Sequence, residues 1–467
     1  MAKTASEPLA VPRAGHQRFI VLALITVILA VSTGDRATLS VAGPGMAKDL
    51  GISAVNMGWL FSAFSWSYFI AQVPSGYIVD RTGAKVAMLI SLAGWSVAIT
   101  LVSGVSYVAF PVVALYALRF ILGLLEGPVT PASARIIAAW FPSAERGVAG
   151  AIFNSAQYLS LAVFTPLMGA LFHYLGWEHI FTVMGGLGLI LALVWSAAYY
   201  APSRHPRVTR EEMAYIEAGG ALTDVGGERP KQDEAQLSAR VVAKQILTNR
   251  MLLGIFLAQY CIASLSTFFI SWFPTYLVQE RHFSMLQAGF VASLPAIFGC
   301  IGGVSTGFFS DWLLRRTGSL TLARKIPITI GLGLSSAIIL CNYTDVNTIV
   351  VAIMCAAFFG KGFGALGWTV VADTAPKEAI GLTGGLFNAA GSVGGVITPI
   401  AIGYIIDGTG SFHGALLYVG LHVIGAVISY WVIVGPIKRF EITGARAARE
   451  SAGHLSLAKT GADGNQV

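Results

Sequence analysis

FIVLALITVILAVSTGDRATLSVAGPGM, residues 19–46, is long and apolar enough to cross a bilayer, yet it carries an aspartate and an arginine side by side, Asp35 and Arg36. About 20 mostly apolar residues cover the hydrocarbon core, and a charge placed near its centre costs roughly 2.5–3.5 kcal/mol or more. Charges in such positions face a bundle interior or a wet cavity instead of lipid. The stretch therefore predicts a membrane-embedded helical bundle enclosing polar space in which ions are handled. A later apolar segment, YALRFILGLLEGPV (116–129), repeats the pattern with Arg119 and Glu126.

Composition agrees. Of 467 residues 55% are hydrophobic and only 11% charged, with 53 glycines and a mean hydropathy of +0.70, values foreign to a water-soluble domain. Apolar stretches recur near 19–43, 57–79, 86–106, 109–134, 147–171, 179–200, 251–278, 287–310, 326–342, 347–371, 380–405 and 413–436. The expected fold class is an all-α membrane protein of twelve transmembrane helices. An even number of spans puts both termini on one side. With that side cytoplasmic, only Lys48 and Arg281 of the 30 Lys and Arg fall in outer loops, while Arg36, Arg119 and Lys361 lie at membrane depth. The other 25 are cytoplasmic, so the net charge of +7 reads as an orientation signal that calls for no nucleic-acid partner. The first apolar run contains Asp35-Arg36 where a signal peptide would carry a small-residue cleavage site, so it is expected to stay as the first span.

The organisation read from these features is a cytoplasmic tail (1–18), a six-helix bundle (19–200), a cytoplasmic linker (201–250), a second six-helix bundle (251–436) and a cytoplasmic tail (437–467). Thr209 with Glu212 three residues on forms a capping-box pattern opening a short surface helix, with its charges expected to be solvated. The Gly-, Ala- and Ser-rich tail beyond Lys438-Arg439 is expected to be disordered.

The two bundles repeat one another. GAIFN (150–154) followed by Thr165-Pro166 returns as GGLFN (384–388) followed by Thr398-Pro399, an offset of 234 residues. GYIVDRTGAK (76–85) is echoed by GFFSD (307–311) with Arg315, Arg316 and Gly318. Parallel repeats of six spans imply a pseudo-two-fold axis along the membrane normal, a substrate site between the halves and alternating access.

Glu126 lies seven residues beyond Arg119, two helical turns along, so both project from one face. A carboxylate there is neutralised either by an arginine, as a permanent structural pair, or by a proton, as a switch. Arg36 offers a fixed fork suited to a carboxylate. Its alternative, a bond to Asp35, is disfavoured because adjacent helical residues point about 100° apart. Tyr68, Gln157 and Asn388 supply hydroxyl and amide groups that suit either sugar hydroxyls or interhelical bridges. Trp368 fits stacking on a sugar's C–H face or packing, and Lys361 fits an anion anchor, a snorkelling cation or an ion-pair partner. Asp80, Arg81 and Lys85 are assigned to a cytoplasmic gate.

Other patterns are negative. Cys261, Cys300, Cys341 and Cys355 show no CxxC spacing, and His173, His179, His282, His413 and His422 fit no metal-ligand spacing. GKG at 360–362 lacks the first glycine and the Ser or Thr of a phosphate loop, which implies no ATP and no cofactor. No catalytic Ser/His/Asp, paired-carboxylate or HExxH arrangement stands out against an enzyme reading.

The G-x-x-x-D-R-x-G-x-K block at 76–85, Arg119 with Gly123 and the linked halves resemble the major facilitator superfamily. STGDRATLSVAG (32–43), ARIIAAWFPSAERG (134–147), AIFNSAQYLSLA (151–162), GWEHIFTVMG (176–185), FFGKGFGALGW (358–368) and DTAPKE (373–378) resemble its anion:cation symporter branch. Within that branch they look most like the D-glucarate and D-galactarate permeases, followed by the D-galactonate transporters. The resemblance implies a monomeric, proton-coupled symporter bringing a sugar acid across a bacterial inner membrane into the cytoplasm. It makes Asp35 and Glu126 the protonatable pair and Arg119 their modulator, and places Arg36, Tyr68, Gln157, Trp368 and Asn388 around the substrate. Thr33, Ala365 and Gly367 depart from the galactonate members and favour a dicarboxylate. The alternatives are a galactonate or other organic-anion symporter and, less in keeping with these blocks, a proton-driven exporter.

Overall fold

The structure, a computed structural model, describes residues 15–221, 223 and 239–443. It is all-helical, with no strand among these residues. In chain order the helices are α1 (Gln17–Leu50), α2 (Ala54–Val102), α3 (Pro111–Glu126), α4 (Val129–Trp140), α5 (Arg146–Leu175), α6 (Trp177–Ala198), α7 (Arg210–Ala218) and α8 (Ala239–Thr248). There follow α9 (Arg250–Thr267), α10 (Phe273–Gln279), α11 (Met285–Thr317), α12 (Leu320–Ser336), α13 (Asn347–Phe363), α14 (Leu366–Thr374), α15 (Ile380–Thr409) and α16 (His413–Ile428).

Among the described residues eleven helical stretches are long and apolar enough to cross a membrane. The count falls one short of twelve because of α2, which covers two expected spans in one 49-residue run. Gly83, at φ 79° and ψ 155°, breaks that run, a conformation that glycine adopts without the steric cost of a Cβ. The stretch before Pro74 is helical, but Asn56, Ser62, Ser65, Ser67 and Gln72 dilute its hydropathy. Two further spans are interrupted. The stretch Pro111–Trp140 breaks at Gly127-Pro128, separating α3 from α4, and Asn347–Thr374 breaks at Gly364-Ala365, separating α13 from α14. Backbone interrupted at membrane depth is tolerated where protein or a wet cavity covers it.

The described residues group into two compact units, one of 15–52 and 66–223, the other of 53–65 and 239–443. In the first, α1 packs on α5 and α6. Gly185 and Gly188 of α6 lie so close to Ser96 and Thr100 that an added Cβ would collide with them. In the second, α13 packs against α11 and α12. Gly360 meets Gly331 and Gly362 meets Gly302 and Gly303 without room for a Cβ, so the GKG glycines serve close helix approach. Within the same unit Ser62 donates to the Val396 carbonyl at 2.8 Å and Gly58 sits on Pro399.

The linker corrects one expectation. Its first helix, α7, is docked, with Glu212 and Ile216 fully buried. The Glu212 carboxylate accepts the main-chain N–H of Arg18 at 3.1 Å and of Gln17 at 3.4 Å, and Arg18 also pairs with Glu145 at 3.3 Å. Thr209 caps α7 by accepting from the Glu212 N–H at 3.1 Å. The other half of a capping box is missing because the Glu212 side chain is committed to the start of α1. The beginning of the C-terminal tail is likewise packed, with Ile437 and Ile442 buried and the Phe440 N–H donating to the Thr374 carbonyl at 2.8 Å. Residues 444–467, the rest of the stretch expected to be disordered, and residues 1–14 of the N-terminal tail lie outside the described residues.

Candidate functional site

The first unit gathers four of the charges that the sequence strands in hydrocarbon, Asp35, Arg36, Arg119 and Glu126. Asp35, Arg119 and Glu126 are each only 4% exposed. Glu126 is the last residue of α3, at the interruption of its span, and its carboxylate faces α1. Arg36 donates from Nε at 2.9 Å and from Nη2 at 2.7 Å to the same oxygen, Oε1. Ser32, one turn before Arg36, donates its hydroxyl to that oxygen as well. The Arg36 guanidinium lies 4.8 Å from the centre of the Tyr68 ring, a cation–π contact, and the Tyr68 hydroxyl is 3.4 Å from Thr130 Oγ1 just past the interruption.

Asp35 sits beside this pair on other terms. Neither of its carboxylate oxygens meets hydrogen-bond geometry with a partner among the described residues, although the Trp95 indole N–H stands close enough to act as a donor and Arg119 and Glu126 act on it electrostatically. Arg119 feels both carboxylates and the Arg36 cation. Four ionisable groups therefore share one buried environment in which two positive and two negative charges come close to cancelling. Removing one member of such a set exposes the others to the cost of an unpaired buried charge. Gln157, on α5, is exposed and takes no part in these hydrogen bonds.

In the second unit the chemistry is aromatic and amide. Trp368, at the start of α14, is half-exposed and meets Phe387 edge to face at 4.9 Å. Asn388 follows Phe387 on α15 and is partly buried. Lys361, three residues before the second interruption, places Nζ 5.0 Å from the centre of the Phe358 ring. Gln259 of α9 approaches Gly367 and Gly391. Gly367 lies against the Phe387 ring without room for a Cβ, so the small residue lets the chain pack closely on this aromatic wall.

Of the residues assigned to a gate, Asp80 accepts from Arg135 Nη1 at 2.7 Å, joining α2 to α4. Arg81 stacks on Tyr77 at 4.2 Å and Lys85 on Tyr200 at 4.0 Å. The repeat-related Asp311 lies 3.9 Å from Arg324, which binds Asp373 more closely at 2.9 Å. Sequence reasoning missed Ser32, Trp95, Thr130 and Arg135. Ser32 was within reach, since its spacing of four from Arg36 puts both on one helix face.

Residues 25–323 match the Major Facilitator Superfamily. The chain belongs to this family. It is similar to the probable galactarate/D-glucarate transporter GudP of Escherichia coli (strain K12), 50% identical over 430 residues that cover 91% of this chain and 95% of that protein. The D-galactonate transporter of Escherichia coli O6:H1 is 37% identical, covering 92% of this chain and 99% of its own length. Among solved structures, a bacterial homologue of the human lysosomal transporter Spinster in an inward-facing, occupied conformation has a TM-score of 0.69 at 16% identity. It covers 90% of this chain and 97% of that one, a likeness of fold. The protein is a multi-pass membrane transporter of the Major Facilitator Superfamily and not an enzyme.

Proposed function

We propose that this transporter carries a sugar diacid, galactarate or D-glucarate, into the cytoplasm together with protons, by alternating access. The observation that carries the reading is the Arg36–Glu126 pair with the buried Asp35 beside it. Of the two arginines in the cluster Arg36 is the one a substrate can reach, its side chain 30% exposed against 5% for Glu126, whereas Arg119 is buried. In the substrate-free protein Glu126 satisfies it. A proton on Glu126 weakens that bond and frees the fork for a substrate carboxylate, and a proton on Asp35 removes the second buried negative charge. The anion then replaces Glu126 as the partner of Arg36. The empty cluster and the cluster loaded with both the dianion and two protons are each balanced, whereas anion alone or protons alone leave buried charge uncompensated, and that differential stability is what biases the conformational change. Tyr68 and Gln157 of the first unit, and Trp368 and Asn388 of the second, are proposed sugar contacts, with Lys361 a candidate for the far carboxylate. Asp80, Arg81 and Lys85 are proposed gate residues and the protein a monomer of a bacterial inner membrane with both termini cytoplasmic. The family and the similarity to GudP support the substrate class.

The test is uptake of labelled galactarate into proteoliposomes under an imposed inward proton gradient, competed by unlabelled glucarate, galactonate and shorter diacids. Accumulation that collapses with the gradient and is blocked best by the six-carbon diacids is expected. Accumulation indifferent to the gradient removes the coupling. Stronger competition by galactonate changes the substrate, and net efflux under an inward gradient turns the carrier into an exporter.

A further inference from the structure

We propose that the second unit carries a binding site for the headgroup of an anionic phospholipid where α9 begins and the last span ends. A cavity of about 560 Å³ opens at this place, lined on one side by Asn249–Met251 and on the other by residues 432–436 and 438–441. Four of its lining residues are charged: Arg250, Lys438, Arg439 and a single acid, Glu441. Arg250 donates to the Val432 carbonyl at 2.8 Å, and Arg439 to the Ala375 and Ala372 carbonyls at 3.2 and 3.1 Å. Neutral carbonyls orient a guanidinium without cancelling its charge. No carboxylate among the described residues stands within ion-pair distance of Arg250, Lys438 or Arg439. The first unit treats comparable cations differently, pairing Arg18 with Glu145 and Arg135 with Asp80.

The depth of the cavity points to a lipid. Arg250 is the first residue of one membrane-spanning stretch and Val434 the last of another. Trp431 beside it donates to Thr329 at 2.7 Å and has Lys325 5.1 Å from its ring, the kind of residue pair found at headgroup level. Beyond the cations, Leu253 and Leu257 on α9 and Ile428 and Val432 on the last span are exposed at i, i+4 spacing. Such a strip suits acyl chains and gives nothing to a free phosphate. Fixed cations at the rim of an apolar strip match a phosphodiester carrying two acyl chains, at about 1 kcal/mol per basic residue near the surface.

The experiment is native mass spectrometry of the full-length detergent-solubilised protein, titrated with phosphatidylglycerol or with phosphatidylcholine of the same acyl chains. Phosphatidylglycerol is expected to bind roughly tenfold more tightly. Lys438→Gln, at an exposed side chain with no hydrogen bond or ion pair among the described residues, should lower its occupancy several-fold. Arg250→Lys keeps the charge that orients the chain but loses the fixed fork, and should lower it as well. Equal binding of the two lipids, or full occupancy in Lys438→Gln, overturns the proposal. So does competition by glycerol phosphate at concentrations matching the lipid, which would make the cavity a soluble-phosphate site.

Discussion

The two interrupted spans stand at matching places in the repeat, yet their surroundings differ in kind. The 234-residue offset carries Glu126 to within one residue of Lys361. Around Glu126 the first unit assembles Ser32, Asp35, Arg36 and Arg119. Around Lys361 the second unit places Phe358, with Phe269 4.5 Å from that ring, and sets Trp368 against Phe387 after the interruption. One backbone device thus presents a cluster of buried charge in one unit and aromatic surface in the other. The division suggests that coupling resides mainly in the first unit and discrimination among sugar acids mainly in the second, and substitutions are expected to separate the two.

The largest effects belong to the first unit. Arg36→Ala removes both donors from Glu126 and should abolish galactarate binding, at least about a 100-fold loss if a charge-assisted fork contributes on the order of 3 kcal/mol. Isothermal titration of purified protein checks this, and near-normal affinity would take Arg36 out of the site. Glu126→Gln keeps the shape but cannot exchange a proton. Gradient-driven accumulation should disappear while exchange of labelled for unlabelled substrate persists in preloaded vesicles. Accumulation at the normal rate would place coupling elsewhere.

In the second unit Trp368→Ala should raise the KM about tenfold while leaving the dependence on the proton gradient intact. The edge-to-face contact with Phe387 contributes about 0.5–1.5 kcal/mol to the wall, and the lost stacking surface supplies the rest. Should Trp368→Ala uncouple transport while Glu126→Gln does not, the division between the units is reversed. Gln259→Ala, a position that only the folded chain brings next to Gly367 and Gly391, gives a milder version of the same test.

What was legible in the sequence follows the same division. Charges in hydrocarbon are costly enough to announce themselves, so Asp35, Arg36, Arg119 and Glu126 could be picked out one by one and their shared environment inferred. Their partners could not, because which acceptor Arg36 reaches depends on the packing of α3 against α1. The helical spacing singled out Arg119 as the partner of Glu126, but Arg36 and Ser32 of α1 also donate to its carboxylate. Aromatic residues carry no such signal in a chain of 26 phenylalanines, so the Phe387 contact of Trp368 was invisible. The linker misled for another reason. Its polarity suggested solvation, but Glu212 is buried because the free N–H groups at the start of α1 need an acceptor.

The ends of the repeat motif offer a smaller contrast. Asp80 holds Arg135 at 2.7 Å, whereas Asp311 lies 3.9 Å from an arginine already bound to Asp373. Asp80→Asn should change turnover several-fold with KM nearly constant, and Asp311→Asn should change it less. Rates from stopped-flow uptake give the comparison, and equal effects would mean that both acids act through the general field at that end of the helices instead of through their pairs.

The smallest expected difference concerns helix starts, one in each unit. Ser284 opens α11 with a complete capping box, its Oγ accepting from the Gln287 N–H at 3.3 Å and its own N–H donating to Gln287 Oε1 at 3.1 Å. Thr209 opens α7 with half of one, because Glu212 is engaged with α1. Loss of either cap costs about 1 kcal/mol, but Ser284→Ala also releases the reciprocal Gln287 contact and should cost a few tenths more. Thermal unfolding of the purified variants resolves the order. If Thr209→Ala proves the more damaging, the seat of α7 on α1 depends on its cap, and the buried Glu212 carboxylate alone does not hold the linker helix in place.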